Sequence, residues 1–162
     1  MNNLYLLTGG NLGDRLVNLH NAFKLIDELA GTVVKKSSIY ETAAWGVRDQ
    51  PSFLNQALLC TTQLTAGQIL QTILLIEEKL GRKRLEKMGP RIIDIDILFC
   101  NNEIIDLPGL KVPHPEIASR RFVLEPLNEI DPAYIHPVLK RSIADLLHSC
   151  TDPLEVKMLH QA

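Results

Sequence analysis

Apolar positions along the chain fall into short blocks whose spacing alternates between strand-like and helix-like periods. Leu4 to Thr8 is a continuous apolar run, which predicts a short buried strand, and Gly9-Gly10-Asn11-Leu12-Gly13-Asp14 is expected to break it. Leu16, Leu19, Phe23, Ile26 and Ala30 then recur at helical spacing, and Gly31 is a helix stop. Thr32 to Tyr40 has strand character, Glu41 to Pro51 reads as a loop, and Phe53 to Thr62 predicts a further strand. Thr65 and Gln68 form a capping-box pattern ahead of Ile69, Ile73, Ile76 and Leu80, and Gly81 ends that helix. A basic loop from Arg82 to Arg91 leads into Ile92 to Cys100, the clearest strand of the chain. Asn101-Asn102 is expected to turn it into Glu103-Ile104-Ile105. The remainder is rich in proline, with one more amphipathic helix near Ser142 to His148.

The resulting order is β-α-β-β-α-β with C-terminal additions, the ferredoxin-like pattern. It predicts an α+β fold in which helices pack on one face of an antiparallel sheet. No internal repeat interrupts it, and 162 residues suit one domain spanning 1–162. A fold of this kind hosts many activities, so the chemistry must come from particular residues.

Composition narrows the field. Hydrophobic residues make up 46% and charged residues 22%, which excludes a disordered chain. The formal net charge of −2 gives no strong attraction to nucleic acid or to an anionic membrane, so any anion site must come from local clustering. No apolar run reaches the ~18–20 residues of a membrane span. Met-Asn-Asn-Leu-Tyr lacks the pattern of a secretory leader. Cys60, Cys100 and Cys150 are odd in number and far apart, which argues against a disulfide framework or a zinc site. The expectation is a cytoplasmic protein, acting as a monomer, with neither nucleic acid nor membrane as partner.

The chemistry begins in the strand Ile92-Ile93-Asp94-Ile95-Asp96-Ile97-Leu98-Phe99. Alternation predicts Ile93, Ile95, Ile97 and Phe99 on one face and Asp94 with Asp96 on the other. Two carboxylates at i and i+2 can grip hard cations, and Mg²⁺ takes one or two carboxylates together with phosphate oxygens and water. A pair of aspartates on a solvated face would look the same in isolation. The preceding loop separates the two readings. Between Lys79 and Arg91 it carries Lys79, Arg82, Lys83, Arg84, Lys87 and Arg91 against the single acid Glu86. Guanidinium groups fork onto phosphate oxygens, and aspartates hold the metal that bridges those oxygens. Loop and strand together read as two halves of a polyphosphate site.

Two other nucleotide-binding readings fail. The glycines at 9, 10 and 13 do not match the dinucleotide fingerprint, although Glu41 stands where a ribose ligand would sit, and the chain continues β-β rather than α-β. No GxxxxGK[ST] loop is present. A sheet-surface RNA binder would need aromatic residues in an RNP pattern, which is absent. A non-catalytic ligand-binding module would not need carboxylates beside an arginine loop.

Several long stretches resemble a known family. GRKRLEKMGPRIIDIDILFCNNEII, followed by VPHPEIASRRFVLEPLNEIDP, is similar to the 6-hydroxymethyl-7,8-dihydropterin pyrophosphokinases of folate biosynthesis. LTGGNLGD and YETAAWGVRDQPSFLNQA match two further motifs, so the resemblance covers most of residues 6 to 132. It implies an Mg²⁺-dependent transfer of pyrophosphate from ATP to the pterin hydroxyl, with two Mg²⁺ ions held by Asp94 and Asp96. Arg82 and Arg91 would be catalytic. Arg84, His114 and Arg120 would touch the triphosphate, and Glu77, Ile97 and Lys111 would line the adenosine pocket. The pterin would lie between Phe53 and Phe122, with Asn55 and the backbone near Thr42 and Trp45 reading its polar edge. Loops 43–51 and 82–91 would close over the substrates. The chain departs from the family pattern at Gly10, where serine is usual, at Met88, where tryptophan is common, and at Ala43 and Ala44, where prolines are usual. These departures bear on the aromatic lid contact and on the stiffness of the first loop.

Overall fold

The computed structural model describes residues 1–43, 50–82 and 92–159. The strands are β1 (Asn2–Gly10), β2 (Thr32–Lys36), β3 (Tyr40–Thr42), β4 (Phe53–Thr62), β5 (Asp94–Cys100), β6 (Ile105–Leu107), β7 (Leu110–Val112) and β8 (Val156–Met158). The α-helices are α1 (Arg15–Leu25), α2 (Ala66–Lys79), α3 (Arg121–Ile130) and α4 (Ile143–Ser149). The main sheet runs β5-β1-β4-β3-β8, with β2 pairing β4 beside β3, and every pairing is antiparallel. This is the predicted ferredoxin-like arrangement, with the expected second strand divided into β2 and β3.

Local chemistry explains the ends of the helices. The Asp14 carboxylate accepts from the Val17 N–H and caps α1. Thr65 and Gln68 complete the predicted capping box at α2. Beyond Leu25 the first helix widens into a π-turn over Ile26–Ala30 before Gly31.

Two cores lie on opposite faces of the sheet. One joins Leu4, Leu6, Leu54 and Leu58 to Leu19 and Ile26 of the first helical segment and to Ile69, Ile73 and Ile76 of α2. The other joins Tyr5, Leu7 and Ala57 to Val123, Leu124 and Leu127 of α3 and to Ile143 and Leu146 of α4. The expectation of helices on one face therefore holds for α1 and α2, while the C-terminal additions cover part of the other. Helix α3 carries Pro126 inside it, and that residue masks its helical spacing in the sequence.

Strict alternation in β5 also fails at one point. Tyr5 pairs with Phe99 while Leu6 pairs with Ile97, so Leu98 is an extra residue, a β-bulge. Ile95 and Ile97 pack in the first core, but Phe99 joins Leu98 in the second. There it meets Tyr5 edge-on at 5.7 Å and Tyr134 at 4.5 Å.

Candidate active site

Register places the site. Gly9 of β1 lies between Asp94 of β5 and Asn55 of β4, and Leu7 lies between Asp96 and Ala57. Thr42 of β3 pairs with Phe53 of β4. Asp94, Gly9 and Asn55 thus form a row across three strands, on the face that α3 and α4 cover only in part. Gly9 and Gly10 belong to β1 rather than to the turn predicted there. Gly13, at φ +68°, is the turn glycine of this stretch. A Cβ at Gly9 would overlap the Asn55 amide, so the bare backbone at this position makes room for that side chain.

A chamber of about 110 Å³ opens over this row. Gly9, Thr42, Phe53 and Asn55 form its floor and one wall, and Arg120 and Phe122, at the start of α3, form another. The Arg120 guanidinium lies 5.8 Å from the centroid of the Phe122 ring. Thr42 and Asn55 are buried, at 3% and 6% exposure. The Asn55 amide donates to the Thr8 carbonyl at 3.3 Å. Among the described residues, neither Asn55 Oδ1 nor Thr42 Oγ1 has a hydrogen-bond partner. Two orphaned buried polar atoms on the wall of one cavity call for a ligand with a polar rim.

A larger groove of about 420 Å³ lies on the other side of the aspartates, between α2, β5 and the β6–β7 hairpin. Glu77, Arg82, Ile97, Lys111 and His114 line it, with Leu74 as part of its apolar side. Asp94 and Asp96 belong to the walls of both cavities.

Charge is densest where the two cavities meet. Arg82 Nη2 lies 3.4 Å from Asp94 Oδ1, and Arg82 Nε lies 3.8 Å from Glu77 Oε2. The same Glu77 oxygen accepts from the Ile95 N–H at 2.8 Å, which ties the end of α2 to β5. Burial raises the Glu77 pKa above the usual carboxylate range; the Ile95 hydrogen bond opposes that shift and the Asp94 charge adds to it. His114 is anchored by its backbone N–H on the Leu98 carbonyl, at 3.1 Å. Its Nδ1 accepts from the Glu116 N–H, and burial lowers its pKa, so the imidazole is neutral at pH 7.

The structure brings together most of the residues expected at the site: Thr42, Phe53, Asn55 and Phe122 at the small chamber, and Glu77, Arg82, Ile97, Lys111 and His114 at the groove. Arg120 borders the small chamber and pairs with Glu116 at 3.5 Å. Trp45, Arg84 and Arg91 lie outside the described residues, as do Ala44, Met88 and most of the two loops expected to close. Glu41 does not face a nucleotide: its carboxylate holds Arg15 at 2.9 Å and the Ser52 hydroxyl at 2.7 Å. Gly9 and Gly10 lie in β1 and not in the expected turn, and nothing local marks this, since Gly9 is kept bare by the Asn55 amide on another strand.

The pair Asp94 and Asp96 offers an all-oxygen donor set at the junction, which fits Mg²⁺ with its remaining positions left to phosphate and water. Among the described residues, no group of three or more His, Cys, Asp or Glu side chains is placed to hold a metal ion.

Residues 5–132 match the profile of the 7,8-dihydro-6-hydroxymethylpterin-pyrophosphokinase family. The chain belongs to this family. It is 40% identical over 145 residues to the 2-amino-4-hydroxy-6-hydroxymethyldihydropteridine pyrophosphokinase of Aquifex aeolicus, covering 90% of each chain. Identity to the Bacillus subtilis pyrophosphokinase of the same name is 46% over 132 residues, covering 80% of this chain and 79% of that one. Among solved structures, a Plasmodium falciparum HPPK-DHPS superposes with a TM-score of 0.73 at 19% identity. That match covers 91% of this chain and 43% of the longer one, and it supports the fold alone.

Proposed function

We infer that this protein transfers pyrophosphate from ATP to the hydroxyl of 6-hydroxymethyl-7,8-dihydropterin, giving AMP and the pterin diphosphate, a step of folate biosynthesis. In this reading the small chamber takes the pterin and the larger groove takes ATP. The observation that carries it is the common wall: the orphaned Thr42 Oγ1 and Asn55 Oδ1 face a chamber that shares Asp94 and Asp96 with the groove. A pterin is flat and aromatic with a polar rim, which suits Phe53 and Phe122 together with an amide.

Asp94 and Asp96 would hold Mg²⁺, two ions in the full complex. Held there, Mg²⁺ would supply neutralisation of phosphate charge. The chain's own part is positioning. Arg82, with Arg91 from the neighbouring loop, would stabilise charge on the transferring group; Lys111 and His114 would hold the nucleotide, and Glu77 fixes the Asp94 end of β5 through Ile95. The pterin oxygen forms a bond to the β-phosphorus, the bond from that phosphorus to the α-bridging oxygen breaks, and AMP leaves with the electron pair. The hydroxyl proton is released. The reading has residues 1–162 acting as one domain, a cytoplasmic monomer. Among the described residues, no helix is long and apolar enough to cross a membrane.

Which bond breaks is the test. With ATP labelled at the γ-phosphate, label should appear on the pterin with AMP formed in equal amount. ADP with a singly phosphorylated pterin would overturn pyrophosphate transfer, and ADP with free phosphate would reduce the protein to an ATPase.

A further inference from the structure

Helix α3 presents Arg120 and Phe122 to the small chamber, yet its first turn has no cap of its own: Arg120, at the N-cap position, makes no side-chain capping bond. The cap comes from 31 residues further along. Asp152, 8% exposed, accepts from the Arg121 N–H through Oδ2 at 3.0 Å, and through Oδ1 from the Leu154 N–H at 3.0 Å. The Arg121 guanidinium returns the contact, donating to the carbonyls of Cys150 at 2.9 Å and Asp152 at 3.3 Å.

Four residues beyond Asp152 the same segment becomes β8 and pairs with β3, setting Val156 opposite Thr42 and Met158 opposite Tyr40. Leu159 N–H then donates to the Ile39 carbonyl at 2.7 Å. One segment therefore grips both sides of the chamber: the start of α3, which carries Phe122, and the end of β3, which carries Thr42. It lies beyond residues 5–132, the part that matches the family profile.

We propose that residues 152–159 are a strap that sets the separation of the two walls of the small chamber, with Asp152 as the positioning residue for Phe122. The proposal rests on the reading of that chamber as the pterin pocket. Without Asp152 the first turn of α3 loses its anchor, and Phe122 samples positions away from Phe53. The groove for ATP draws no wall from α3 or β3, so the effect is confined to one substrate.

The test is equilibrium binding to Asp152→Ala. Pterin affinity should fall about tenfold, the scale of a lost helix cap, while the affinity for Mg-ATP stays within twofold. Asp152→Asn keeps one acceptor oxygen and should recover part of the loss. Lys157→Pro, which removes the backbone donor that faces β3 at the strap's other end, should repeat the pattern and covers the case in which Asp152→Ala does not fold. Unchanged pterin affinity in a folded variant, or an equal fall for both ligands, would overturn the strap. Binding of the pterin to the wild-type chain is measured first, and its absence would overturn the reading of the chamber instead. Hydrogen exchange at Val123 and Leu124 then reads the strap directly: faster exchange in Asp152→Ala supports it and equal exchange refutes it.

Discussion

The two cavities on either side of Asp94 and Asp96 are built on different principles. The small chamber is floored by a regular sheet, and its wall carries two buried polar atoms left without partners. The groove is walled by helix ends and a hairpin, and its charges pair through Glu77, Arg82 and Asp94, although Arg82 Nε, 3.8 Å from Glu77, has no hydrogen-bond partner among the described residues. An unpaired atom waits for one ligand geometry, because only a matching partner removes its desolvation cost. A paired charge must be exchanged, which suits a ligand that brings its own charge and metal. In the proposed reading, recognition is therefore concentrated on one side and charge redistribution chiefly on the other.

The strongest way to break this contrast is to remove what the two sides share. Asp94→Ala or Asp96→Ala should lower turnover by ~10³-fold or more, since metal-held charge stabilisation is worth several kcal/mol. Pterin binding should persist, because the ring and amide contacts remain. Near-normal turnover at limiting Mg²⁺ in either variant would remove both residues from the metal site. Arg82→Ala acts on the groove side alone. Loss of one charge-assisted contact to the transferring group should cost ~10²–10³ in kcat, with a much smaller change in ATP affinity. A kcat equal to wild type would make the Arg82 pairing with Asp94 purely structural.

Asn55→Ala acts on the chamber side alone. It should weaken pterin binding by about 1–3 kcal/mol, the cost of an unsatisfied polar rim, and leave ATP affinity unchanged. An equal loss for both ligands, read by calorimetry, would merge the two cavities into one. The smallest effect lies away from both. His136 is buried; its Nδ1 accepts from Val138 N–H at 3.2 Å and Leu139 N–H at 3.1 Å, and burial lowers its pKa below 6.5. Below pH 6.5 the unfolded chain takes up a proton that the folded chain resists, so stability is complete above that value and declines as pH falls toward the folded pKa. Urea midpoints at pH 7.5 and 5.5 should show a drop that His136→Asn reduces, with ligand affinities at pH 7.5 unchanged.

Much of this was legible in the sequence because period and capping are local. Thr65 and Gln68 announce α2, and the alternation through Asp94 and Asp96 survives intact where it matters. What was hidden depended on distant partners. Pro126 disguised α3, whose stability comes from packing Val123, Leu124 and Leu127 against the sheet rather than from propensity. Gly9 resembled a turn residue because its role is set by the Asn55 amide on another strand. Phe99 was assigned to the wrong face because the sequence carries no mark of an extra residue at Leu98.

That extra residue divides β5 into two lengths with independent phase. Asp94 and Asp96 keep their orientation by pairing with Gly9 and Leu7, whatever Phe99 does below the bulge. The aromatic packing of Tyr5, Phe99 and Tyr134 can drift in size and shape over many generations without turning the carboxylates. Deleting Leu98 would close the bulge and restore strict alternation with every pairing kept, Phe99 against Tyr5, Ile97 against Leu6 and Asp96 against Leu7. The carboxylates and the aromatic cluster would both stay on their faces, and the second core would lose only the Leu98 side chain. A residue removed between Asp96 and Ile97 has no bulge to absorb it and would turn Asp94 and Asp96 toward the α1–α2 core.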